Sequence, residues 1–118
     1  MKAIQLEKGQ GFVADRYSFI AAEESVNFTI QTTGLQAGLF GGEGFILQKF
    51  VGPGTVFIHV IGDIIEHQLD GTTQLEIEPS HLAGFDATLQ YKIRFVDNIR
   101  TMMFGGIERS IMSTLHLL

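Results

Sequence analysis

No cysteine occurs among the 118 residues. That absence excludes a disulfide framework, thiol catalysis, and zinc or iron–sulfur sites held by cysteine. Positive charge is also scarce: 8 Lys and Arg stand against 13 Asp and Glu, for a formal net charge of -5 and no basic cluster. Binding of nucleic acid through phosphate neutralisation is therefore not expected. Long apolar runs are missing as well. The longest nearly apolar stretch, Val56 to Ile65, is broken by His59, Gly62 and Asp63, and it falls far short of the ~20 residues that a membrane-spanning helix needs. At the start of the chain Lys2, Gln5, Glu7 and Lys8 interrupt any h-region or amphipathic Arg-rich leader. The expected location is the cytoplasm, with no direct membrane insertion. Charged residues of both signs make up only 18% against 45% hydrophobic, so part of the surface is expected to be apolar contact surface.

What is present organises around Leu39 to Gly62. Two apolar runs, Phe45 to Val51 and Thr55 to Ile61, flank Gly52-Pro53-Gly54. Proline fixes φ at the second position of a type II turn and glycine supplies positive φ at the third, so the stretch predicts a β-hairpin. Elsewhere Val26, Phe28 and Ile30 alternate with polar residues, Leu75 and Ile77 alternate with acids in Gln74 to Glu78, and Leu89, Tyr91, Ile93 and Phe95 alternate with Gln90, Lys92 and Arg94. Period two predicts strands with one buried and one wet face. Gly9 to Ala14 and Ser18 to Ala22 read as short strands, Thr32 to Gly38 as a loop, and Ile64 to Leu69 as a strand ending in the turn dipeptide Asp70-Gly71. Asp97 to Met103 reads as a helical turn or a loop. With 14 glycines and no sustained helical period, the expectation is an all-β chain, an antiparallel β-sandwich or a double-stranded β-helix-like architecture built from repeated β units.

The two halves resemble each other. Ser18 to Ala22 matches Ser80 to Gly84 at a spacing of 62, Val26 to Ile30 matches Leu89 to Ile93 at 63, and Phe40-Gly41-Gly42 matches Phe104-Gly105-Gly106 at 64. Residues 1–118 are accordingly expected to form a single all-β domain with one repeat over about 9–62 and an incomplete second over about 71–118. In that alignment Ser110 to Leu115 takes the place of Phe45 to Phe50 and lacks its hairpin partner, which leaves an unpaired strand edge.

GGEGFILQKFVGPGTVFIHVIG, then DGTTQLEIEPSHLAGFDATLQYKI and a second FGG, resemble the altered-inheritance-of-mitochondria family over about Gly9 to Gly106. Family members are usually longer. The resemblance implies three repeats arranged around a pseudo-threefold axis, in an architecture similar to the tryptophan RNA-binding attenuation protein. This chain carries fewer than two, and its second FGG continues as Ile107-Glu108-Arg109 where the first has Glu43-Gly44-Phe45. The family supplies no agreed reaction and no catalytic residues to carry over.

Chemistry-bearing residues do not assemble into a motif. Gly38, Gly41, Gly42 and Gly44 match neither phosphate-loop spacing and precede no helix. His59, Glu66, His67 and His81 lack the spacing of a ligand pair; in the strand Thr55 to Ile61 His59 shares a face with Phe57 and Ile61, and Glu66 and His67 point to opposite faces. Glu23-Glu24 and Glu76/Glu78 read as solvated carboxylates, Glu43 as a turn acceptor, and the phenylalanines as core. Ser18, Ser25, Ser80, Ser110 and Ser113 have no nucleophile-elbow context. No catalytic, cofactor or metal residues are assigned. The expectation is a non-enzymatic, self-associating β domain of structural or scaffold type, a homo-oligomer; the alternative is a small-molecule-binding β protein with a cleft between repeats.

Overall fold

The computed structural model describes residues 1–32, 46–96, 99–106 and 113–117. The chain divides into two compact units, Met1–Val60 and Ile61–Leu118. The first contains β1 (Lys2–Leu6), β2 (Gly11–Asp15), β3 (Phe19–Ala22), β4 (Asn27–Thr32), β5 (Ile46–Val51) and β6 (Gly54–Ile58). The second contains β7 (Ile65–Leu69), β8 (Gln74–Ile77), a 3-10 turn at Pro79–His81, β9 (Leu82–Asp86), β10 (Leu89–Val96), β11 (Ile99–Gly106) and β12 (Ser113–Leu117). Among the described residues there is no α-helix, and none is long and apolar enough to cross a membrane.

Among the described residues, the strand pairs within each unit are antiparallel. In the first, β6 lies between β1 and β3, and β5 lies between β4 and β2. The second unit has the same order: β12 lies between β7 and β9, and β11 lies between β10 and β8. Registers correspond as well. Phe50 sits opposite Phe12 and Phe28, and Phe104 opposite Leu75 and Tyr91. Val56 sits opposite Ile4 and Ala22, and Leu115 opposite His67 and Phe85.

Each unit is sandwich-like, closed by aromatic side chains from two sheets. Phe19 of β3 packs on Phe50 of β5 at 4.8 Å between ring centroids, and Phe28 of β4 lies 5.4 Å from Phe50. In the second unit Phe85 of β9 meets Phe104 of β11 edge-on at 4.9 Å, and Tyr91 of β10 lies 5.9 Å from Phe104. Offset and edge-to-face rings at these separations add to the stabilisation that comes from burying their area. Leu6, Phe12, Leu47, Val56 and Ile58 complete the first core, and Leu69, Leu82, Leu89, Met102 and Leu115 the second; all are buried.

Three strand expectations are corrected. Phe45 to Val51 and Thr55 to Ile61 do not form a hairpin, because β5 and β6 belong to different sheets. Each is a central strand whose two edges are already occupied, so neither has an edge left for the other. Gly52-Pro53-Gly54 is instead the corner between the sheets, with a cis Gly52–Pro53 bond and Gly54 at φ 138°. The segment read as a helical turn or loop is strand from Ile99 onward, with Met102 and Phe104 buried; residues 97–98 lie outside the described residues. β12, expected to expose an unpaired edge, is hydrogen-bonded on both sides. The loop expected over Thr32 to Gly38 lies, apart from Thr32 at the end of β4, outside the described residues.

Candidate functional site

Gly38, Gly41, Gly42, Gly44, Glu43 and Ser110 lie outside the described residues. The remaining residues singled out in the sequence are spread over the fold, and most serve turns and strand ends. His59 follows the end of β6, not within it, and is exposed; its N–H donates to Ser18 O at 2.7 Å. His81 lies in the 3-10 turn, with Nε2 3.7 Å from Glu78 Oε2. The Glu78 carboxylate caps that turn, accepting from the Ser80 N–H and hydroxyl. Ser18 is buried and its hydroxyl donates to Asp15 O. Among the described residues no three His, Asp or Glu side chains are placed to hold a metal ion.

The carboxylates at the ends of β3 and β9 have a shared use. Glu23 Oε1 accepts the Thr55 N–H at 2.7 Å, and Asp86 Oδ2 accepts the Thr114 N–H at 2.8 Å. Both tie the third strand of a unit to the start of its sixth. Burial pushes the Asp86 carboxyl above its ordinary value, against the opposing pull of the Thr114 hydrogen bond. Because the folded state then holds the Asp86 proton more tightly than the unfolded chain, this group favours folding at acid pH. That contribution is lost as pH rises through the ordinary carboxylate range to the raised value. Asp86→Asn keeps an acceptor for Thr114 and removes the charge. Thermal unfolding followed from acid to neutral pH is expected to show a smaller fall in Tm with rising pH in the variant, and no loss of stability at neutral pH.

Two arrangements are not visible in the sequence. His116 on β12 is buried, with Nδ1 4.0 Å from Glu66 Oε1 on β7, its register partner. Its sequence setting, Leu115-His116-Leu117, places the histidine on the alternate face to two leucines, which predicts exposure; burial of both faces of β12 is a tertiary effect. The second arrangement is the outer face of β8, β10 and β11. Two rungs cross it, Gln90–Gly105–Gln74 and Lys92–Met103–Glu76. Glu76 accepts from Thr101 Oγ1 at 2.6 Å and from Arg94 at 3.4 Å. The Gln74 side chain lies over Gly105, where an added Cβ would meet its Cγ at 3.4 Å, and an open groove of about 470 Å³ is lined by Gln74, Leu89, Gln90, Tyr91, Lys92, Met103 and Gly105. Two amides and one cation beside leucine, tyrosine and methionine suit a small ligand with both polar and apolar parts.

A third feature concerns β4. Its apolar side chains remain uncovered: Phe28 is 48% and Ile30 60% exposed. The corresponding positions of β10, Tyr91 and Ile93, are half-buried.

The chain belongs to the mitochondrial biogenesis AIM24 family, whose model matches residues 1–115. Among solved structures, that of protein SPYM3_0169 from Streptococcus pyogenes is similar, with a TM-score of 0.77 at 17% sequence identity over 98% of this chain and 52% of that one. The chain thus spans about half the length of that protein, and at this identity the likeness is one of fold. No curated protein matches the sequence.

Proposed function

We propose that this chain is a non-enzymatic, self-associating β module with a structural or scaffold role. The observation that carries the reading is the apolar surface left uncovered on β4, where Phe28 and Ile30 follow one another on a single face. Contiguous apolar surface of this kind marks a contact site when charges are few, and charged residues are 18% of the sequence. Ile20, Ile61 and Ile65 add further exposed aliphatic surface. Light scattering across a dilution series tests the reading. A dimer or larger assembly that persists on dilution is expected, and a monomer at every concentration would overturn it.

The groove across β8, β10 and β11 favours a second reading, binding of a small molecule with polar and apolar parts. Under it, a thermal-shift screen finds one ligand class that raises Tm, through the linkage between binding and stability, and Lys92→Ala abolishes the shift.

A further inference from the structure

We infer that β4 is itself the contact: it pairs antiparallel with β4 of a second copy of this chain, extending one sheet across a twofold axis. This rests on the self-association reading and names its surface and occupant. Two strands in corresponding places of the two units differ in how their outer edges are protected. β4 and β10 each stand at the end of their sheet, and among the described residues each is paired on one side only, β4 with β5 and β10 with β11. An edge of this kind is a template for another strand unless charge, proline or a bulge blunts it.

β10 is blunted. Lys92 and Arg94 stand exposed along its solvent face. β4, Asn27-Phe28-Thr29-Ile30-Gln31-Thr32, has no charge and no proline, and its register against β5 runs without a shift from Asn27 to Thr32. Thr29 stands where β10 has Lys92. Among the described residues, one of two corresponding edges is thus protected by charge and the other is not.

The occupant follows from side-chain parity. Residues directly opposite one another in an antiparallel pair share a face of the sheet, so in a twofold pairing a residue of even number meets another of even number. Pairing centred on Thr29 brings Phe28 against Ile30 of the second copy and Ile30 against its Phe28. Both are aromatic to β-branched pairs, which stabilise sheets, and both cover side chains that are exposed in the isolated chain. The strand is its own complement.

Two variants test this. Ile30→Lys places a charge on the apolar face of the edge, where the isolated chain leaves the position 60% exposed, so folding is expected to survive, as checked by far-UV circular dichroism and Tm. Its dimer dissociation constant, measured by sedimentation across a dilution series, is expected to rise about tenfold or more. Thr29→Cys introduces a lone cysteine into a chain that has none. Opposed Cα atoms in an antiparallel pair lie about 4.5–5.5 Å apart, within the span of a disulfide, so mild oxidation is expected to give a covalent dimer. If the unaltered chain is monomeric throughout, both the self-association reading and this inference fail. If it associates while Ile30→Lys associates equally well, or while Thr29→Cys gives no covalent dimer, the β4 contact is wrong and self-association stands.

Discussion

Replacing Phe50 with alanine is expected to lower folding stability by about 3–5 kcal/mol, a large part of the 5–15 kcal/mol typical of a native domain. Phe50 has no exposed surface, sits between Phe12 and Phe28 in the strand register, and packs its ring on Phe19 across the unit. Truncation removes the buried ring and leaves a cavity that the central strand β5, fixed on both sides, cannot close by moving. Phe104→Ala is expected to cost a similar amount, since Phe104 is equally buried and meets Phe85 and Tyr91 in the same way. Phe28→Ala, at a half-exposed position, is expected to cost less than about 1.5 kcal/mol in the dilute chain. Urea unfolding midpoints measure all three. Equal losses at Phe28 and Phe50 would contradict the placement of the core.

Gly54→Ala is expected to destabilise by about 2–5 kcal/mol, from two separate sources. The backbone there has φ 138°, a region that side chains disfavour, and an added Cβ would come within 2.6 Å of Val26 Cγ2 and 2.7 Å of Ser25 Oγ. Gly62→Ala separates the two sources. Gly62 also has positive φ, 92°, but nothing lies within 4 Å of an added Cβ, so only the conformational cost of about 1–2 kcal/mol is expected. The corresponding position of the second unit holds Ser113, whose hydroxyl lies 2.6 Å from that of Thr88. One unit fills this corner with a hydrogen-bonded side chain, and the other closes it by removing one. A Gly54→Ala variant no weaker than Gly62→Ala would mean that the corner relaxes freely.

The strands with strict alternation are legible in the amino-acid sequence. In β8, and over Leu89 to Arg94 of β10, the polar and apolar positions fall as their residues predict, and Asp70 forms the turn after β7 by accepting the Thr72 N–H at 2.8 Å. β11 is not legible, because Met102 and Met103 in succession blur period two and methionine favours helix as readily as strand. Gly52-Pro53-Gly54 marks a change of direction, yet local turn chemistry does not say whether the strands it joins will pair. That is decided by β1, β2, β3 and β4, which claim both edges of β5 and β6 first. For the same reason Phe28 and Ile30 identify β4 as a strand without revealing that they are exposed. Alternation tells which residues share a face, and only the tertiary arrangement tells whether that face is covered. The family resemblance rests partly on Gly41 to Phe45, outside the described residues, and partly on the Gly52 to Gly54 corner, whose glycines the packing explains.

Hydrogen–deuterium exchange of the unaltered chain, compared at high and low protein concentration, reads the β4 contact itself. Among the described residues, β4 amides not bonded to β5 have no strand partner, and pairing with a second β4 would cover them. Exchange in peptides spanning residues 27–32 is predicted to slow as concentration rises, while peptides spanning residues 89–96, on the charged edge of β10, stay unchanged. Equal behaviour of the two strands, or protection that appears over β10 and not β4, would contradict the account.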